Sequence, residues 1–215
     1  MGFSAKLTMK IFFYAASVSN YKDGRDMKIE RQIHIKECPG VYPPREDTYL
    51  LLESIDVEKD EEVLEIGCGT GIISIHCAMA GAIVTAVDIK EEAVQCTRGN
   101  AERNSVPVNV LRSDLFSAIT GQFDIIIFNP PYLPVDKDTY ESISWAGGAD
   151  GVEVLQRFLR SVLLFLKKTG RIFIVVSSLM NQDTLKELLV PFKVDFIAKR
   201  KMFFEELTVL RLRVP

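Results

Sequence analysis

A short strand that runs into three closely spaced glycines constrains this chain more than any other feature. Glu62-Val63-Leu64-Glu65-Ile66 reads as a strand, Gly67-Cys68-Gly69-Thr70-Gly71 as a turn, and Ile72 to Ala80 as the helix after it. Glycine has no Cβ, so such a turn lets backbone approach a ligand closely and opens a helix without steric conflict. A further strand, Ala82 to Val87, ends in Asp88. Asp88 follows Gly67 by roughly 20 residues, the distance at which an acidic side chain meets a ribose diol in nucleotide-binding units.

The rest of the chain alternates in the same α/β fashion. Strands are expected at 108–112, 123–128 and 170–176, and helices at 90–104, 151–168 and 182–190. Tyr49 to Ile55 reads as an earlier helix, and Lys28 to Lys36 as a half-exposed strand. The tail differs: Phe192 to Ile197 and Glu206 to Leu212 are strand-like runs with a short link, which pairs them antiparallel. The expected architecture is a mostly parallel, seven-stranded, Rossmann-like sheet that ends in an antiparallel hairpin. Residues 27–215 read as a single domain. Residues 1–26 read as an N-terminal extension, disordered or foreign to the fold, with Met27 as an alternative start.

The glycines are spaced Gly-x-Gly-x-Gly, not Gly-x-Gly-x-x-Gly. That departure argues against a nicotinamide dinucleotide and for S-adenosylmethionine, which has no pyrophosphate to cradle. A second motif says what such a donor would act on. Ile125-Ile126-Ile127-Phe128 is a buried-strand pattern, and Asn129-Pro130-Pro131-Tyr132 follows it. Two prolines stop both strand and helix, because each fixes φ and removes a backbone donor. An amide is thus held at a strand end with a rigid turn behind it and an aromatic ring beside it. The Asn129 side-chain carbonyl and the Pro130 carbonyl are two acceptors that suit a planar NH2 group.

Other residues carry paired readings. Glu65 is flanked by apolar residues, where a carboxylate is costly unless partnered. It either ties the strand to the fold or faces the amino-acid end of a cationic cofactor. Asp114 either caps a short helix after the third strand or faces an adenine amine. Leu133 to Gly151 is a loop of roughly 20 residues, a length usual for functional segments, and it holds the lone tryptophan, Trp145. Trp145 is therefore a candidate substrate contact.

Composition excludes several classes. A net charge of −3 and a pI near 5.6 argue against a broad nucleic-acid footprint. Lys199-Arg200-Lys201 is the one basic run, read as a solvated strand end. Two histidines, His34 and His76, leave little for a metal site, and none is expected. Cys38, Cys68, Cys77 and Cys96 show no Cys-x-x-Cys pair, so reduced thiols in a cytoplasmic protein are expected. No apolar run approaches the roughly 20 residues of a membrane span.

Taken together, Val41-Tyr42-Pro43-Pro44-Arg45-Glu46-Asp47-Thr48, Glu65-Ile66-Gly67-Cys68-Gly69-Thr70-Gly71, Asn129-Pro130-Pro131-Tyr132 and Trp145-Ala146-Gly147-Gly148 resemble the HemK-like methyltransferases. The likeness runs from about residue 28 to the C-terminus, in the short archaeal and eukaryotic branch. The resemblance implies a class I methyltransferase that moves a methyl group from S-adenosylmethionine to the glutamine of a class I release factor's Gly-Gly-Gln loop, leaving S-adenosylhomocysteine. By motif match, Thr48, Glu65, Gly67, Gly69, Gly71, Asp88, Asp114, Leu115 and Asn129 would surround the cofactor. Asn129, Pro130, Pro131, Tyr132 and Trp145 would hold the glutamine, with Asn129, Pro130 and Tyr132 acting in catalysis. It also implies a small zinc-binding activator subunit as partner. Two rivals remain: an adenine-N6 methyltransferase of nucleic acid, since Asn-Pro-Pro-Tyr suits any planar NH2, and a non-catalytic scaffold.

Overall fold

A computed structural model describes residues 6–12, 30–132 and 152–215, with 6–12 and 30–32 as backbone only. Seven strands form one sheet: β3 (Glu62–Ile66), β4 (Ile83–Asp88), β5 (Asn109–Arg112), β6 (Phe123–Phe128), β7 (Leu166–Ser177), β8 (Lys193–Lys201) and β9 (Glu206–Arg213). Their spatial order is β5-β4-β3-β6-β7-β9-β8. The first five run parallel, and β9 pairs antiparallel with both β7 and β8. The expected sheet and its terminal hairpin are therefore present. A separate ribbon pairs β1 (Lys6–Phe12) with β2 (Glu30–Lys36), so part of the N-terminal extension is a strand.

Alternation along the strands divides the core. Leu64, Ile66, Ile126, Phe128, Ile172 and Ile174 face one cluster, which holds α4 (Glu153–Phe165) and Leu185 of α5 (Gln182–Leu189). Val63, Ile125, Ile127, Phe173 and Val175 face the other, with α1 (Glu46–Ser54) and α2 (Ile72–Met79). Successive side chains on a strand point to opposite faces, so a central strand covered on both sides reads as one continuous apolar run. Ile125, Ile126 and Ile127 are all 0% exposed. α3 (Glu91–Arg103) adds Ala101 to the α1–α2 side.

Boundaries shift where tertiary contacts decide them. The helix expected to run to 168 ends at Phe165, and β7 begins at Leu166. Leu166 is extended, pairs with Phe123, and lies so close to Gly170 that a Cβ there would sit 2.7 Å from its side chain. Lys167 then forms ion pairs with Glu62 and Asp124 at 2.8 Å each. Those contacts outweigh the helical pattern of the preceding residues.

The cysteine expectation is corrected. Cys38 and Cys96, 58 residues apart, form a disulfide, and only Cys68 and Cys77 are free thiols among the described residues. The bond joins the segment after β2 to α3, beside buried Val41 and Ala93. No spacing rule could find it, because the two cysteines meet only when α3 packs on that segment. Burial pushes the thiols of Cys68 and Cys77 up, away from reactive thiolate.

Candidate active site

The chain leaves the sheet centre from β3 to β4 and β5, then returns to place β6 on the other side of β3. A crevice opens at the carboxyl ends of strands where the order reverses in this way. Ile66 of β3 pairs with Phe128 of β6 at that point. The cavity there measures about 430 Å³ and takes in Thr48, Glu65, Gly67, Asp88, Leu115 and Asn129. That volume lies in the ordinary range for small-molecule sites.

The glycine turn forms the floor. Gly67, Gly69 and Gly71 have φ of +71°, +53° and +82°, where side chains are disfavoured. Gly67 N and Cys68 N donate to Val87 O at 2.7 and 3.0 Å. A Cβ on Gly71 would lie 2.7 Å from Thr97 Cγ2. α3 braces the turn from behind: Thr97 Oγ1 donates to Gly69 O at 3.0 Å, and Asn100 Nδ2 donates to Thr70 O at 2.9 Å. Asp88 is clamped by backbone. Its Oδ2 accepts from Gly69 N at 3.1 Å and its Oδ1 from Lys90 N at 3.0 Å. Burial raises its carboxyl pKa against those bonds. With Ile89 N–H a third backbone donor to this carboxylate, about one of its four lone-pair sites remains for a ligand hydroxyl.

Glu65 combines both of its readings. Its Oε2 accepts from Ser74 N at 2.9 Å and from Ser74 Oγ, which ties β3 to the first turn of α2. It also lines the cavity. Burial lifts its carboxyl to about 8.

Asp114 does not cap a helix. Ser113 Oγ accepts from Ala118 N at 3.0 Å, and the segment that follows is a turn. The Asp114 carboxylate instead pairs with Arg157 of α4 at 2.7 Å, both side chains near half exposure. Asp114, Leu115 and Arg157 all border the cavity, and Leu115 has a φ of 49°.

The far wall is built by α1. Asn129 Nδ2 donates to Asp47 Oδ2 at 3.0 Å across 82 residues of sequence. Asp47 Oδ2 also accepts from Tyr42 OH at 3.2 Å, while Oδ1 accepts from Thr48 N at 2.7 Å and Thr48 Oγ1 at 3.2 Å. Thr48 Oγ1 accepts in turn from Arg45 N at 3.4 Å, closing the helix start. Asn129 Oδ1 is buried and has no partner among the described residues. Pro130, Pro131 and Tyr132 complete this side. The Tyr132 phenol is pushed up by burial and then by nearby Asp47 and Glu205. Trp145 lies outside the described residues.

Every expected site residue that is described, apart from Gly71, therefore borders one cavity; Gly71 stands behind the floor, against Thr97. Sequence reasoning missed Asp47 and Tyr42, although both stand in the quoted motif. It also missed Thr97 and Asn100, whose roles no local pattern displays. His76 is buried in α2 outside the cavity, and burial lowers its pKa to about 4. Among the described residues no cluster of His, Cys, Asp and Glu is arranged for a metal.

The methyltransferase small domain family matches residues 32–204. A Methanocaldococcus jannaschii protein named for protein N5-glutamine methylation is 44% identical over 185 residues, covering 83% of this chain and 94% of its own. Human methyltransferase HEMK2 is 33% identical over 165 residues, covering 69% and 77%. Among solved structures, the E. cuniculi Mtq2–Trm112 complex, responsible for methylation of the eRF1 termination factor, contains a chain similar at a TM-score of 0.64. Its identity is 25%, with 82% of this chain and 99% of that one covered. Family match, full-length relative and crevice agree: the chain belongs to the methyltransferase small domain family, and within it to the HemK-like methyltransferases.

Proposed function

We propose that this enzyme methylates the side-chain nitrogen of a glutamine in a class I release factor, the glutamine of its Gly-Gly-Gln loop. The observation that carries the reading is Asn129 Oδ1, a buried acceptor with no partner among the described residues, on a residue that borders the cavity. A buried polar atom without a partner costs about 1–3 kcal/mol, and a donor from a ligand would recover it. A primary amide offers two such donors on one nitrogen.

The cavity fits S-adenosylmethionine by its donor set. The glycine floor would take backbone-close contact, Asp88 would hold the ribose hydroxyls, and Asp114 and Leu115 would border the adenine. Thr48 lies at the joint between the two halves. Glu65, buried beneath the floor with its carboxyl raised to about 8, would be drawn toward its ionised form by positive charge at the amino-acid and sulfur end. The bound cofactor supplies an electrophilic methyl group on a cationic sulfur.

The protein's own task is to aim a poor nucleophile. An amide lone pair is delocalised into its carbonyl. Asn129 Oδ1 and the Pro130 carbonyl accept the two N–H bonds, and Tyr132 flanks the amide plane. The nitrogen lone pair would thereby be turned toward the cofactor's end of the crevice while both amide N–H bonds stay held by these acceptors. Acceptors placed in advance for developing positive charge are the cationic counterpart of an oxyanion hole, where one group contributes about 2.7–4 kcal/mol. Proximity contributes further.

In this reading residues 27–215 are the catalytic domain, acting in the cytoplasm where release factors work. The solved Mtq2 relative is in complex with Trm112, and a small zinc-binding partner of that kind belongs to the proposal. The test is transfer of labelled methyl to an intact release factor, to its Gly-Gly-Gln variant with alanine for glutamine, and to adenine-containing DNA and RNA, with and without the partner subunit. Label on the intact factor alone is expected. Label on nucleic acid alone would transfer the assignment to adenine.

A further inference from the structure

We propose that Asp47 is a positioning residue that decides which end of the Asn129 amide meets the substrate nitrogen, an inference that rests on the function proposed above. A primary amide is nearly symmetric in shape but opposite in hydrogen bonding at its two ends. A half turn about its last bond exchanges an acceptor for a donor with little steric consequence. For a site that must accept N–H bonds, the turned amide is inactive, because two NH2 groups would face each other.

Asp47 breaks that symmetry. An ionised carboxylate can only accept, so the Asn129 atom 3.0 Å from Asp47 Oδ2 must be Nδ2. Turning the amide would bring Oδ1 against Oδ2, two acceptors with no proton between them, at a residue only 3% exposed. The carboxylate is itself immobilised. Tyr42 OH, Thr48 N and Thr48 Oγ1 fill its other positions, so four donors meet its four lone-pair sites. It stands in the first turn of α1, where free N–H groups and the helix dipole favour an anion.

Sheet geometry makes the meeting possible. Ile125 and Ile127 point toward the α1 side of the sheet, and Asn129 continues their alternation. Asn129 Oδ1 is then the end left over, which is why it has no partner among the described residues.

The test is a double-mutant cycle between Asp47→Asn and Asn129→Ala. The asparagine is close in shape but can donate to Asn129 Oδ1 as readily as accept from Nδ2. With saturating cofactor and partner subunit, Asp47→Asn should lower kcat for methyl transfer roughly 10- to 100-fold, the size of losing a hydrogen bond to a charged group. In the Asn129→Ala background the same change should have almost no further effect, since residues that act as a unit are not additive. An undiminished kcat, or an equal loss in both backgrounds, would overturn the proposal. If Asp47→Asn does not fold, Tyr42→Phe replaces it: a loss of roughly 2- to 5-fold that again vanishes without Asn129, because one of the bonds fixing Asp47 is gone. The wild type is assayed first on release factor and on adenine-containing nucleic acid. Labelling of nucleic acid alone removes the glutamine reading, and the cycle is then scored on that substrate, which also presents a planar NH2.

Discussion

The two walls of the crevice are built by different means. The glycine wall, from β3 through Asp88, is made of neighbours in sequence and held largely through backbone: Val87 O fixes Gly67 and Cys68, and Gly69 N fixes Asp88. The amide wall joins Asn129 to Asp47 across 82 residues by a bond from side chain to side chain. Backbone bonds come with the turn itself. This side-chain bond exists only if α1 and the end of β6 arrive in register. A glycine turn of this kind can therefore serve any nucleotide-like ligand, whereas in the proposed reading the amide wall specifies which atom is methylated. Cys38–Cys96 straps one to the other, running from the segment before Tyr42 to the helix that braces the glycines.

Substitution at the amide wall should separate catalysis from cofactor binding most strongly. Asn129→Ala is expected to lower methyl transfer about 10²- to 10³-fold, by analogy with loss of one oxyanion-hole group, while calorimetry shows cofactor affinity nearly unchanged. Equal losses in both would mean that the two walls are not functionally distinct.

Opening the strap comes next. Reduction of Cys38–Cys96 should cost roughly 2–4 kcal/mol of stability, as constraints on a long loop do, read as a lower denaturant midpoint in reducing buffer. A midpoint insensitive to reductant would show that the two walls hold together without the bond.

The glycine wall should answer in the opposite sense to Asn129. Asp88→Ala is expected to weaken cofactor binding by about 1.5–3 kcal/mol, the usual size for a charged hydrogen-bond partner. Its effect on kcat at saturating cofactor should be small. An unaltered dissociation constant would remove the ribose assignment.

The smallest effect is a pH slope. The Glu65 carboxyl is raised to about 8 in the folded chain, against 4.5 as its reference. The folded state thus holds a proton that the unfolded state has lost, so Glu65 makes stability fall as pH rises between those values. His76, lowered to about 4, acts oppositely: its contribution is lost as pH falls from about 6.5 toward 4. Above pH 6.5 Glu65 acts alone of the two, and its share of the decline from pH 6.5 to 8 is on the order of 2 kcal/mol. Glu65→Gln should flatten that decline in thermal melts. An unchanged slope would assign it to other groups.

Much of this was legible in advance. The strands at Glu62–Ile66 and Phe123–Phe128 fall on the expected residues, because a parallel strand buried on both faces is written as an unbroken apolar run. The end of α4 was not, because Leu166 leaves the helix to pair with Phe123 of β6. Nor was the role of Asp47, although its neighbours in the motif were recognised. An acidic residue in a helix's first turn is ordinary in sequence, and only its distance from Asn129 distinguishes it.

By itself, the sequence determined the sheet, the glycine floor with Asp88, and the rigid amide turn at Asn129, since each depends on residues adjacent in the chain and on the stereochemistry of glycine and proline. Tertiary structure alone decided that Asp47 orients Asn129, that Cys38 meets Cys96, and that Thr97 and Asn100 hold the turn from behind. Those contacts span 28 to 82 residues. Their energies depend on distance and direction in space, which no local pattern of residue types encodes.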